Sequence, residues 1–319
     1  MQPKVSILVP CYNSEKHLAA TIQSALRQSW RDKEIIVVND GSTDRTGEVA
    51  EQFRSDNVKV YHQPNAGACR ARNFAFEKST GEFIQYLDAD DLLSHNKIEE
   101  QLKYLLVSKD AVASGPWAHF TNQAESAIFH DQYIYKDYAS PADLLLDMWE
   151  RREMMQTSVW LTPRHIVEKA GGWDESLTIN QDGEFFCRVL LAASKVKYCP
   201  QAKVYYRSGN PNSVSKSQAY SKTKAESLLR TYLSYENQIM RIANTGNLLR
   251  IRQAIAKNYY SYIYLFYNLY PDLARVAVDK VKQWRIPPDN QVGGVKFARL
   301  AGIVGFYNAL RLRKLINKM

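Results

Sequence analysis

Short apolar runs that each end in a polar, acid-rich cluster constrain this chain more than any other feature of its sequence. Residues 5–9 are apolar but for Ser6, the pattern of a strand buried on both faces. Leu18, Ile22, Ala25 and Leu26 then recur at helical spacing and predict a helix over residues 14–27. A second buried strand at 34–38 ends in Asn39-Asp40-Gly41-Ser42-Thr43-Asp44, turn and cap residues ahead of a helix through about residue 54. A strand at 58–61 and a helix at 68–78 follow. A strand at 83–87, closed by Asp88-Ala89-Asp90-Asp91, leads to a helix at 96–107. This alternation predicts an α/β fold, a doubly wound, mainly parallel, Rossmann-like sheet with helices on both faces. Ligands of such sheets sit outside the carboxyl ends of the strands. Residues 10–15, 40–44 and 88–91 all fall there, so three separated segments converge on one crevice.

The pattern loosens from 111 to 215, with strands near 111–114, 159–162 and 203–206 and helices near 140–150 and 183–193. From 216 onward it is helical, broken at Pro287-Pro288 and Gly293-Gly294. Charge divides the chain at the same place. Residues 216–319 hold 18 lysines and arginines against 5 acids, whereas residues 1–215 carry a net charge of −4. Two regions are therefore expected, a catalytic domain at 1–215 and a basic, mainly helical extension at 216–319. An apolar content of 45% excludes a disordered chain. Cys11, Cys69, Cys187 and Cys199 are scattered without a CxxC pair, which suits neither a zinc site nor a disulfide framework. The first apolar run is too short for a secretory leader, and the uncharged window at 258–270 is too short to span a bilayer. A cytoplasmic location without a membrane-spanning helix is the expectation.

Four segments carry residues suited to chemistry. Asp88 and Asp90, two residues apart on an irregular turn, can share a hard divalent cation with phosphate oxygens, or can simply form a turn that Asp91 caps. Asp40 can accept from a base N–H or a ribose hydroxyl, and Gly41 permits a tight backbone; the alternative is a loop capped by Ser42 or Asp44. Arg72, near a helix start, can reach phosphate or base. Asp182 precedes an apolar helix and reads either as an N-cap or as a carboxylate base for an acceptor hydroxyl. Trp173 reads either as core or as the floor of a sugar pocket.

Together these strings resemble the family 2 glycosyltransferases of the GT-A fold. They are Val5 through Asn13 with Glu15, Val38 through Asp44, Gly67 with Ala71-Arg72-Asn73, Leu87 through Asp91, and Gly171 through Glu175 with Gln181-Asp182. They occur in the family's order over residues 4 to about 215. The resemblance implies an inverting transferase that moves a sugar from a nucleotide-sugar donor, commonly UDP-linked, to an acceptor hydroxyl. Pro10, Tyr12, Asn13 and Glu15 would border the nucleotide, Asp40 would bind the base and Arg72 would help hold the nucleotide. Asp88 would contact ribose or metal, Asp90 would be the main ligand of Mn2+ or Mg2+, and Asp182 would be the base. Gln181 stands where the family usually has Glu, and Arg207 lacks the histidine that often follows two residues later, which leaves Arg207 as a diphosphate contact. Trp173 would face the acceptor.

The tail has no such signature. Residues 258–270 hold six tyrosines, and 296–318 mix apolar residues with Arg299, Arg311, Arg313 and Lys314. An amphipathic basic helix can lie in an anionic membrane interface, which would suit a lipid-linked or glycan acceptor; a helical lid with a solvated basic face is the other reading. A dinucleotide-dependent dehydrogenase is excluded because no Gly-x-Gly-x-x-Gly turn follows the first strand. A nucleotide-sugar binder without catalysis is the alternative function, and a nucleic-acid-binding protein using the basic tail a lesser one; the acidic crevice repels a phosphate backbone, so nucleic acid is not an expected partner.

Overall fold

The computed structural model describes residues 2–209, 220–288 and 292–316, with side chains through 313. Four predicted strands form as expected: β1 (Val5–Cys11), β2 (Lys33–Asp40), β3 (Val58–Gln63) and β4 (Phe83–Tyr86). Between and after them lie α1 (Leu18–Leu26), α2 (Thr46–Glu51), α3 (Ala68–Lys78), the short β5 (Leu92–Leu93) and α4 (Lys97–Leu105). The chain continues through β6 (Ala111–Ser114), β7 (Trp117–Phe120), α5 (Pro141–Arg151), β8 (Thr162–Pro163) and α6 (Arg164–Ala170). Then come α7 (Gln181–Ala192), β9 (Lys195–Tyr198) and β10 (Val204–Arg207). Helix α1 starts four residues later than its periodicity suggests, because Ser14 and His17 close a turn through the His17 N–H and the Ser14 carbonyl.

The central sheet runs β3-β2-β1-β4-β8. β1 pairs parallel with β2 and β4, and only β8 is antiparallel. All seven residues of β1 are buried, as a strand covered on both faces requires. The carboxyl ends of β1, β2 and β4 therefore emerge on one edge, which sets the place of the site. Two small sheets, β5-β10-β7 and β6-β9, complete this part of the chain. β7 and β9 have no counterpart among the strands expected from the sequence.

The chain divides into two compact units. The first comprises Met1–Leu144, Glu153–Glu175 and Gln181–Pro211; the second comprises Leu145–Arg152, Ser176–Asn180 and Asn212–Met319. The expected boundary at 215 lies outside the described residues; two earlier segments, 145–152 and 176–180, group with the helices, which a single cut in the sequence cannot express. The second unit contains α8 (Lys222–Met240), α9 (Leu248–Phe266), α10 (Pro271–Trp284), α11 (Gly294–Val304) and α12 (Phe306–Ile316). Its tyrosines are not a displayed aromatic surface. Tyr259, Tyr260 and Tyr262 are buried, and their hydroxyls donate to the Glu236 carboxylate and to the Ile286 and Ala225 carbonyls, which satisfies the polar end of each ring inside the helices. Among the described residues no helix is long and apolar enough to cross a membrane, and the four cysteines are buried free thiols.

Candidate active site

The loop after β1 is built on the loop after β2. Asn13 has φ 47°, a conformation that Asn adopts more readily than most residues. Its N–H donates to Ser42 Oγ at 3.0 Å, and its Oδ1 accepts from the Thr43 N–H at 2.8 Å. Glu15 Oε2 accepts from the Arg45 N–H at 3.0 Å, while the Glu15 N–H donates to Asp44 Oδ2. Asn13 and Glu15 thus act first as stitches between two loops. Pro10 is buried within β1, and Tyr12 projects beside the stitches with half its surface exposed.

Asp40 is held by its neighbours. It is 3% exposed, Oδ1 accepts from Gln63 Nε2 and the Ala66 N–H, and Oδ2 accepts from the Gly67 N–H, at 2.7–2.9 Å. These bonds fix the turn between β3 and α3, so the carboxylate shapes the crevice wall. Gly41 beside it is obligatory on geometric grounds: φ is +66°, and a Cβ would meet the Asn65 backbone nitrogen at 2.5 Å.

The turn after β4 separates its three acids by direction. Ala89 is buried with its carbonyl accepting from Thr21 Oγ1 at 2.9 Å, whereas Asp88 and Asp90 on either side are half-buried at the rim. Asp91 points inward, fully buried, and accepts from the Arg207 N–H at 2.9 Å and from Gln156 Nε2 at 2.5 Å. Burial, followed by the charges of Asp88 and Asp90, pushes the Asp91 carboxyl well above its ordinary range. The capping reading of Asp91 is therefore replaced by that of a buried anchor under the rim.

Arg72 is the hub of the cluster. Its side chain is 9% exposed; Nη2 donates to Asp88 Oδ1 at 2.8 Å and Nη1 to Gln181 Oε1 at 3.2 Å. The guanidinium lies 4.4 Å from the centre of the Trp173 ring, and Trp173 stacks on Phe185 at 4.1 Å. Trp173 is 3% exposed and so has no face to offer a sugar; it is core, and its role is to hold Arg72. Asp182, on the first turn of α7, is near enough to Arg72 and Asp88 for their charges to act on its carboxyl. Burial raises its carboxyl, the Gly183 N–H and Arg72 lower it, Asp88 raises it, and the net direction is upward. Arg207 spends Nε on the Asp90 carbonyl at 2.9 Å and Nη1 on the Thr121 carbonyl at 3.0 Å. The structure thus brings Arg72, Asp88, Asp90, Asp182 and Arg207 together and keeps Asp40 and Trp173 as supports. It also adds Gln156 and Tyr206, which the sequence alone did not single out, and gives Asp91 a buried place beneath the rim.

A divalent cation fits these residues. Mg2+ and Mn2+ are commonly held by one or two carboxylates, with substrate phosphates and water completing the shell. Asp88 and Asp90 offer two carboxylates on one rim, one Asp88 oxygen being engaged with Arg72, and like charge has accumulated there with Asp91 beneath. Among the described residues no group of three metal-binding side chains forms, so a ligand would have to complete the shell.

This architecture has close counterparts among solved structures. The crystal structure of residues 1–349 of Staphylococcus aureus TarS in complex with UDP-GlcNAc superposes with a TM-score of 0.63, at 17% identity, over 88% of this chain and 92% of that one. The fold is GT-A, with helices following the catalytic-type domain. Residues 6–158 match the model of glycosyl transferase family 2, and the chain belongs to that family. An uncharacterized glycosyltransferase of Bacillus subtilis, EpsJ, is 32% identical over 229 residues, 67% of this chain and 64% of that protein. The glycosyltransferase GlyA of Streptococcus pneumoniae is 28% identical over 214 residues, 64% of this chain and 30% of that protein. The matched stretch thus spans less than two thirds of each of these relatives.

Proposed function

We propose that this chain transfers a sugar, with inversion, from a nucleotide-sugar donor to an acceptor hydroxyl. The observation that carries the reading is the grouping of Asp182, Arg72 and Asp88 at one end of the sheet beside Asp90, since it sets a raised carboxylate next to a rim suited to a diphosphate. The bound donor of TarS supports UDP-sugars as the first probes. Tyr12, Asn13 and Glu15 border the nucleotide, and the remaining Nη2 edge of Arg207 meets the diphosphate. Mn2+ or Mg2+, when bound by Asp90 and Asp88, supplies positive charge that neutralises the leaving diphosphate.

Asp182 takes the proton of the acceptor hydroxyl. The hydroxyl oxygen forms a bond to the anomeric carbon as the bond from that carbon to the diphosphate oxygen breaks, and the electron pair leaves with the nucleotide diphosphate. Its raised carboxyl makes Asp182 a stronger base than a solvated aspartate. Arg72 donates to Asp88 Oδ1, and its positive charge also acts on Asp182, which offsets the repulsion between the two acids. The test is transfer and donor hydrolysis by D182N with a panel of UDP-sugars and added Mn2+. Loss of a general base typically costs about 10²–10⁴-fold in rate, while UDP affinity should stay within a few-fold; near-normal turnover by D182N would refute the assignment.

The acceptor is a glycan or a lipid-linked sugar, and α11 supports contact with an anionic membrane surface. It exposes Ile303 (83%) and Val295 beside Lys296 and Arg299, apolar and basic groups of the kind that bind at a lipid interface. The exposed apolar and basic side chains of α11 support a peripheral position on the cytoplasmic face of the membrane.

A further inference from the structure

With Trp173 buried, the site needs another surface on which an acceptor ring can lie. Three aromatic side chains meet on one face of the β5-β10-β7 sheet. Trp117 and His119 are two apart on β7, and Tyr206 stands opposite His119 in the parallel pair of β7 with β10. Their ring centres are 5.1 Å apart for Trp117 and His119, 5.2 Å for His119 and Tyr206, and 5.8 Å for Trp117 and Tyr206. All three contacts are edge-to-face, with interplanar angles of 65–86°, so each covers a face of only one ring of its pair, whereas the stacked Trp173 and Phe185 cover a face of both. His119 is exposed, and Trp117 and Tyr206 are half-buried. The Trp117 indole N–H donates to the Met154 carbonyl at 3.2 Å, which pins that ring.

Two further observations tie the cluster to a ligand. An open cavity of about 470 Å³ adjoins it at His119, where Phe120 is joined by Thr121, Asn122, Gln123, Ser126 and Ser208, side chains rich in hydroxyl and amide groups. Tyr206 also adjoins the acidic turn: the next residue, Arg207, donates its N–H to Asp91 at 2.9 Å and its Nε to the Asp90 carbonyl at 2.9 Å, and burial, then the charges of Asp91, Asp88, Asp90 and Asp182, push the Tyr206 hydroxyl up to about 12. The rings therefore bridge from the acids to a polar cavity. A saccharide matches this arrangement, because its C–H faces pack on aromatic rings while its hydroxyls seek amide and hydroxyl partners.

We propose that Trp117, His119 and Tyr206, with the adjoining cavity, form the platform that binds the acceptor sugar. The role as acceptor rests on the transfer reaction proposed above; the carbohydrate site does not. The test uses the full chain with methyl β-glycosides of glucose, galactose, N-acetylglucosamine and N-acetylgalactosamine, and reads binding by saturation-transfer NMR. At least one glycoside should bind the wild-type chain, and H119A should weaken it at least tenfold, about 1.4 kcal/mol, with W117F intermediate. Folding of each variant is checked by circular dichroism, and Y206F takes the place of any variant that fails to fold. No binding by any of the four glycosides, or binding that ignores these substitutions, overturns the platform. UDP titration by calorimetry separates the two readings. A chain that takes no uridine nucleotide but loses glycosides at H119A defeats the donor assignment alone, and the reverse pattern defeats the platform alone.

Discussion

Glu34 allows a quantitative test of how the sheet is held together. Its side chain is 5% exposed. Its carboxylate accepts from the Thr80 N–H at 2.6 Å, Ser6 Oγ at 2.7 Å, Thr80 Oγ1 at 2.9 Å and Lys59 Nζ at 3.0 Å. Burial works to raise this carboxyl, but the Thr80 N–H, Ser6, Lys59 and the Thr80 hydroxyl outweigh it and hold the group at about 2 against an ordinary 4.5. At about 1.36 kcal/mol per unit the ceiling is roughly 3 kcal/mol. Lys59 is 41% exposed, so solvent screening reduces this to about 2 kcal/mol. The sign follows from linkage. A depressed folded value stabilises above the unfolded value of 4.5, and the gain is lost as pH falls through about 2. E34Q should therefore melt about 4–8 °C below wild type at pH 7, taking roughly 2–4 °C per kcal/mol for a unit of this size. The gap should shrink by more than half at pH 3. Thermal melts followed by circular dichroism at the two pH values measure it, and an equal gap at both would refute the reasoning. Because Glu34 lies at the start of β2 and the site lies at the strand's other end, activity per folded molecule should not change.

Other predictions concern packing and surface. At Gly115 an added Cβ would sit 2.0 Å from the Ala202 carbonyl oxygen, a backbone atom that cannot swing aside, so G115A should destabilise by several kcal/mol or prevent soluble expression. A melt within about 2 °C of wild type would contradict that. Replacing Ile303 by aspartate should lower co-sedimentation with vesicles of anionic lipid at least several-fold without shifting the melting temperature; equal sedimentation would remove α11 from the membrane reading.

The first four strands were legible because burial on both faces leaves an unbroken apolar run, and the rim acids were legible because turns at strand ends expose their carboxylates. Burial of individual polar groups was not. Asp40 reads like a ligand-binding acid, and only the fold shows its oxygens committed to Gln63, Ala66 and Gly67. Trp173 reads like a sugar floor until Phe185 and Arg72 are seen against its ring. The cluster of Trp117, His119 and Tyr206 was invisible for another reason. β7 is a four-residue strand, and its partner β10 arrives more than eighty residues later, so no local pattern joins them.

The edge of the central sheet carries a consequence for the free protein. β8 is only two residues long and ends in Pro163, which has no amide hydrogen to offer a neighbouring chain. A foreign strand approaching that margin would find one truncated ladder and a missing donor. This blunt border discourages strand addition at the β8 margin, the opposite margin being the six-residue β3.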